Sequence, residues 1–240
     1  YYSVHGQVDS SIYYANRFIQ FMENTWSPRG VVYWNLSNIP NYIYIGRYDL
    51  AKNIYEQYGK TGQVKDEHST IGWLMMHENK IVEAKEWVNN KIERKIMEGN
   101  LSSLSKYYFL NGLISLKENE YQDAIIEFKK VLNNNPWVER YFSMSIVAGE
   151  DVAVYLLLSQ AYFQLHDTEA ALEWALKAYG ISPFEPLIQY QMALVVNEAG
   201  NHEKAMQYLE YCLDIWKHAD KDFAPAMEAK QKWTEWNEVN

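Results

Sequence analysis

Apolar residues recur at intervals of three and four along almost the whole chain, and stretches in which apolar and polar residues alternate are scarce. A period of three to four brings apolar side chains to one face of an α-helix, whereas a half-buried strand needs a period of two. The chain is therefore predicted to be all-α.

Five of the predicted helices begin in the same way, with a short polar turn followed by an alanine inside an apolar stripe. The stretch "ENEYQDAIIEFKKVLNNNP", which starts at Glu118, is the clearest example. Such self-similarity predicts a repeat architecture. The alanines are Ala51, Ala84, Ala124, Ala171 and Ala205, at spacings of 33, 40, 47 and 34 residues.

A small residue stands twelve positions before four of these alanines, at Gly72, Gly112, Ser159 and Ala193, whereas the first unit has Ile39 there. Two antiparallel helices joined by a short turn approach closely only where the side chains at their crossing are small. We therefore predict that each unit is a helical hairpin, in which the small residue of the first helix faces the alanine of the second.

This pattern resembles the tetratricopeptide repeat, a helix–turn–helix unit of about 34 residues with the positions W-x2-L-G-x2-Y, A-x3-F and P. The third unit carries Tyr108, Gly112, Ala124, Phe128 and Pro136 at matching positions. The fourth unit carries Tyr155, Leu158, Tyr162, Ala171, Ala178 and Pro183. The resemblance implies a right-handed solenoid of antiparallel helix pairs, with about five units and a helical cap at each end.

The resulting organisation has three parts. We predict a capping helix within residues 1–30 with Asp9 or Ser10 as its N-cap, repeats over 31–217, and a second capping helix in 218–240. Pro40 should kink or split the first helix of the first unit. Residues 137–151 form an insertion that either projects from the stack or lengthens the next helix at its start. The repeat units lie near 31–60, 65–99, 105–136, 152–183 and 186–217.

Charge and cysteine content narrow the classes of function. The formal net charge is −9 at pH 7, so we expect no nucleic-acid partner. No apolar run reaches the ~18 residues of a membrane span, so the chain is not expected to cross a membrane. The single cysteine, Cys212, slightly favours the cytoplasm. The start at Tyr1 indicates a processed protein or a piece of a longer one, which leaves a periplasmic or extracellular location open.

No pattern of catalytic residues stands out. The six histidines have no metal-ligand spacing, and the chain lacks both a glycine-rich phosphate loop and a nucleophile elbow. We therefore predict a non-enzymatic protein without catalytic residues, a metal site or a cofactor.

The resemblance also implies a binding surface, because the first helices of tetratricopeptide repeats line the concave side of the solenoid. An excess of aromatic residues, 20 Tyr and 9 Trp, suits a surface that grips a ligand. We predict a concave groove of aromatic and amide side chains. Its candidate partner-binding residues are Tyr44, Trp73, Met76, His77, Phe109, Leu113, Gln160, Phe163, Gln164, Tyr190 and Asn197.

Two functions fit such a groove. The first is a scaffold that binds a protein or peptide partner, alone or within a larger assembly. The second is a non-catalytic repeat segment of a larger bacterial envelope or polysaccharide-handling protein, whose aromatic rings would stack on an oligosaccharide. A composition rich in Asn, Lys, Ile and Tyr is typical of a bacterial source. The subclass of repeats that clamps chaperone C-termini does not fit, since Trp73, Leu113 and Gln160 stand at clamp positions.

Overall fold

The computed structural model describes residues 5–25, 28–44, 46–59, 69–134 and 150–238. These residues form helices and turns, without a strand among them, so the all-α prediction is confirmed. The chain divides into two compact units, each with its own set of helices. One comprises residues 12–144, and the other comprises residues 1–11 and 145–240.

The unit of residues 12–144 contains most of the first helix, a second helix and three helical hairpins. The helices are α1 (Val8–Thr25), α2 (Pro28–Ser37), α3 (Ile39–Tyr44), α4 (Tyr48–Ile54), α5 (Thr70–His77), α6 (Ile81–Met97), α7 (Ser105–Lys117) and α8 (Tyr121–Asn134). A π-helical turn, Tyr55–Gly59, continues α4, and a 3-10 turn, Leu101–Ser103, precedes α7.

The other unit contains two hairpins and a final helix. They are formed by α9 (Glu150–Gln164), α10 (Thr168–Ile181), α11 (Pro186–Glu198), α12 (His202–Ile215) and α13 (Ala224–Glu238), with a 3-10 turn, Trp216–His218, after α12. Helix α9 packs on α10, α10 on α11 and α11 on α12, so consecutive hairpins stack on each other within this unit. The predicted insertion at 137–151 falls almost entirely outside the described residues.

Five hairpins share one turn geometry. The residue five positions before each repeated alanine has a left-handed backbone, with φ between 56° and 86°, and these residues are Gly46, Asn79, Asn119, His166 and Gly200. The amide of the next residue donates to the carbonyl five positions earlier, as Glu120 does to Ser115 over 2.8 Å and Asp167 does to Tyr162 over 3.0 Å. This bond closes the end of the first helix and reverses the chain.

The second helix of each hairpin starts directly from the same turn. Asp167 and Asn201 cap α10 and α12, since their side-chain oxygens accept hydrogen bonds of 3.1 Å from the amides of Ala170 and Lys204. The repeated alanine then points inward, and all five alanines are fully buried. A turn that both ends one helix and starts the next explains why the same polar pattern recurs in the sequence.

The crossing contacts differ from the prediction in detail. We expected Gly112 to make room for Ala124, but a Cβ at Gly112 would lie 2.4 Å from the ring of Phe128. A Cβ at Gly72 would lie 3.1 Å from Leu110 and 3.4 Å from Trp87. The glycines therefore admit larger side chains that lie about one turn beyond the alanine, or that come from the next hairpin.

The start of α1 also corrects a prediction. Helix α1 begins at Val8, so Asp9 and Ser10 lie in its first turn and neither is the N-cap. The amide of Val8 donates instead to Oδ2 of Asp220 over 2.8 Å, and the amide of Asp220 donates to the carbonyl of Gly6 over 2.9 Å. We call this arrangement the Asp220 corner: Gly6 and Val8 held by Asp220 beside Phe223.

The first hairpin is irregular where proline was expected to disturb it. The leading helix is split at Asn38, between α2 and α3, two residues before Pro40. Val32, Leu36 and Ile39 of these helices are buried in one cluster, and Ile12 of α1 packs against it. Among the apolar residues at three- and four-residue spacing on α1, Met22 is fully buried, whereas Ile12, Ala15 and Ile19 are half-buried.

Candidate functional site

The predicted groove residues of the unit 12–144 fall into a buried and an exposed group. Trp73, Met76 and Phe109 are between 5% and 8% exposed and pack inside the unit. The rings of Trp73 and Phe109 lie 6.4 Å apart, and the ring of Phe109 lies 5.9 Å from that of Phe128. This aromatic chain belongs to the core and presents little surface to a partner.

His77 is exposed at the end of α5 and takes part in a polar cluster. Its ring stacks on that of Tyr48 with centroids 4.2 Å apart. The Tyr48 hydroxyl donates to Glu78, which also accepts from Lys80. Burial and the bond to Glu78 raise the pKa of Tyr48 to about 12. The cluster joins the first and second hairpins, and the stacking on Tyr48 holds the His77 ring in place.

Leu113 is half-buried on α7, and the side chain of Tyr44, the last residue of α3, lies outside the described part of the chain. Lys117 is the one lysine that the sequence places on this face. Its ammonium donates to the backbone carbonyl of Met76, which ties α7 to α5. Its charge therefore serves the packing of neighbouring hairpins.

In the other unit the predicted residues lie on two neighbouring first helices. Gln160, Phe163 and Gln164 share one face of α9, because three- and four-residue steps return to the same side of a helix, and Tyr190 and Asn197 are two turns apart on α11. All five side chains are half-buried or exposed. We call this surface the α9–α11 face.

A buried hydrogen-bond chain fixes the two helices that carry this face. The Ser159 hydroxyl, fully buried on α9, donates to the carbonyl of Ala171 on α10 over 2.9 Å. It accepts a bond of 3.0 Å from the amide of Gln191 on α11. The sequence indicated Ser159 only as a small crossing residue. Because Gln160 and Tyr190 are the chain neighbours of these two residues, the bonds set their positions.

Side chains from α12 and α13 extend the α9–α11 face. Asn197 Oδ1 lies 2.9 Å from His202 Nδ1, and the His202 ring meets that of Trp236 on α13 edge to face at 5.9 Å. Glu198 lies 3.8 Å from the exposed His166. Sequence reasoning missed His202 and Trp236, since α13 was treated only as a cap.

Tyr190 lies where burial and negative charge act together. Burial raises the pKa of its hydroxyl to about 12, and the carboxylates of Glu228 and Glu235 on α13 add to this effect. The hydroxyl therefore stays protonated at neutral pH and can donate a hydrogen bond.

The described residues offer little for chemistry. They contain no group of three or more His, Cys, Asp or Glu side chains arranged to hold a metal ion. Cys212 is fully buried, and burial raises the pKa of its thiol to about 12, so at neutral pH it is held as the unreactive thiol. Every helix in the described ranges is too short or too polar to cross a bilayer.

The sequence was compared with known families and curated proteins. A model described as "Tetratricopeptide repeat" matches residues 152–185. Clustered mitochondria protein homologs from Aspergillus niger and Aspergillus oryzae are each 28% identical over 124 residues, which are 48% of this chain and 10% of theirs. The chain thus spans about a tenth of the length of these relatives. They are fungal, so the bacterial source predicted from the composition is not confirmed.

Solved structures of MamA are also similar. One from MSR-1 is 19% identical with a TM-score of 0.48, covering 81% of this chain and all of MamA. One from AMB-1 is 18% identical with a TM-score of 0.47, covering 80% and 94%. The match at 152–185 and the five shared turns make the chain similar to tetratricopeptide repeat proteins. The alternative of a bacterial envelope segment finds no support in the family match or in the fungal relatives.

Proposed function

We propose that the chain, a tetratricopeptide repeat protein, is a non-enzymatic scaffold that binds a protein segment on its α9–α11 face. Repeats of this family generally act as scaffolds for protein partners, and the match at 152–185 covers most of α9, all of α10 and the turn before α11. The observation that carries the proposal is the position of the half-buried Phe163 and Tyr190 and the exposed Gln164 on one surface. The buried hydrogen bonds of Ser159 hold the two helices that carry them in place.

The chemistry of this face suits a peptide. Phe163 and Tyr190 offer rings for apolar side chains, whereas Gln160, Gln164 and Asn197 offer amide donors and acceptors that can bond a peptide main chain. Rigid aromatic side chains lose little entropy on binding and are frequent hot spots. In the other unit, the exposed His77 and the half-buried Leu113 are a separate candidate surface for the same partner or another.

The proposal is tested by selecting displayed peptides on the whole chain and then measuring their affinities for variants by fluorescence anisotropy. Phe163→Ala and Tyr190→Ala should each weaken binding about tenfold, as expected for an aromatic hot spot. Leu176→Ala is the control, because Leu176 is an exposed apolar residue of the second helix α10. It should leave affinity unchanged.

Two results would contradict the proposal. One is a set of selected peptides whose affinity falls on Leu176→Ala but not on Phe163→Ala or Tyr190→Ala. The other is binding of oligosaccharides that quenches tryptophan fluorescence and competes with the peptides.

A further inference from the structure

Charge is distributed very unevenly between the two units. Residues 1–11 and 145–240 contain 16 Asp and Glu but only 6 Lys and no Arg, whereas residues 12–144 contain 15 acidic and 16 basic residues, including all five Arg. The excess negative charge of the chain therefore lies in the unit that carries the α9–α11 face. Net charge of this kind steers partners of opposite sign.

Part of that charge borders the α9–α11 face. Glu198 follows Asn197 at the end of α11, and its side chain is 46% exposed. Glu228 and Glu235 are two turns apart on the same side of α13, and their charges act on Tyr190. Trp236, the neighbour of Glu235, contacts His202, which bonds to Asn197. The three carboxylates thus lie at the edge of the aromatic and amide surface.

Local cations offset this charge only in part. Lys232 pairs with Glu235 over 2.7 Å, and both side chains are about 40% exposed, so water and salt screen the pair. His166 lies 3.8 Å from Glu198 and carries charge only when protonated. A partner cation that approaches these carboxylates would replace weak, solvated pairs.

We propose that the segment bound on the α9–α11 face is a basic peptide, in which Lys or Arg alternates with apolar side chains. This inference rests on the proposed function. The cations pair with Glu198, Glu228 and Glu235, while the apolar side chains contact Phe163 and Tyr190. Arg can in addition stack on the accessible parts of these half-buried rings, which Lys does less well. Charge at the rim sets the rate of association and the choice of partner more than the final affinity.

The test uses three peptides of equal length on the whole chain, with the same leucines and with Lys, Gln or Glu at the remaining positions. The Lys peptide should bind most tightly and the Glu peptide most weakly. The affinity of the Lys peptide should fall as salt is raised from about 50 to about 300 mM, because exposed ion pairs are screened over that range.

Two triple variants test where the charge acts. The face variant is Glu198→Gln, Glu228→Gln and Glu235→Gln, and the control variant, with the same change in charge on the second helices, is Glu173→Gln, Glu210→Gln and Asp214→Asn. The face variant should bind the Lys peptide roughly tenfold more weakly, since three exposed pairs are lost together. The control variant should stay within about twofold of the unmodified protein. Circular dichroism should show the same helicity for both variants.

The outcomes separate this inference from the proposed function. Equal binding of the Gln and Lys peptides, with both still sensitive to Phe163→Ala, overturns the basic partner but leaves the α9–α11 face standing. Equal losses in the face and control variants show that the charge acts without regard to site, which also overturns the inference. Failure of all three peptides, together with failure of displayed peptides to select on this face, overturns both proposals.

Discussion

Gly112→Ala should destabilise the protein, although replacing glycine by alanine within a helix usually stabilises it. A Cβ at Gly112 would lie 2.4, 2.7 and 2.8 Å from three ring atoms of Phe128. The Phe128 ring is fully buried and lies against that of Phe109, so it has little room to withdraw. Something must shift for the methyl group to fit.

The expected size follows from two opposing effects. Overpacking a core by a methyl group costs about 1–3 kcal/mol. Alanine has a better helix propensity than glycine by about 1 kcal/mol, which offsets part of the cost. The net loss should therefore be about 0–2 kcal/mol, or a fall in midpoint of up to roughly 8 °C for a chain of this size.

The matched control is Gly180→Ala in α10, because no atom lies within 4 Å of a Cβ at Gly180. That variant should gain a few tenths to about 1 kcal/mol from helix propensity alone. Thermal unfolding followed by far-ultraviolet circular dichroism measures both. If Gly112→Ala were as stabilising as Gly180→Ala, the ring of Phe128 would not require the glycine, and our account of the crossing would be wrong.

Two further predictions concern buried side chains. Trp73→Ala should lower stability by about 3–5 kcal/mol in urea unfolding, because the ring packs on Phe109. Trp73→Phe should cost much less, since the indole Nε1 is buried without a hydrogen-bond partner in the described residues, and equal losses would refute this account of the packing. Cys212 should not react with Ellman's reagent at pH 8 in the native protein but should react fully in guanidinium, because its thiolate forms only near pH 12 in the fold. Fast native labelling would contradict the burial.

The sequence predicted the hairpins because their main determinants are local. The repeated alanine and the polar turn before it lie within a few residues of each other, and both are visible as a pattern. The left-handed residue of the turn was not predicted, since glycine, asparagine and histidine occupy it in different units. These residue types share a tolerance for that backbone, but they do not share a side chain.

The candidate site was less accessible to sequence reasoning. One face of a first helix serves both the packing on neighbours and the contact with a partner, so Trp73 and Phe163 look equivalent in the pattern. Only the packed structure separates the buried ring from the half-exposed one. Similarly, the partner of the Val8 amide lies 212 residues away, beyond the reach of any local capping rule.

The Asp220 corner has a consequence for how the protein is made. Val8 emerges from the ribosome 212 residues before the aspartate that holds it, and Gly6 slightly earlier still, a delay of roughly 10–40 s at ordinary rates of synthesis. During that interval the hairpins of residues 12–144 can form from contacts between near neighbours, whereas Gly6 and Val8 remain unanchored. The beginning of α1 is therefore synthesised before these hairpins but reaches its native position after them.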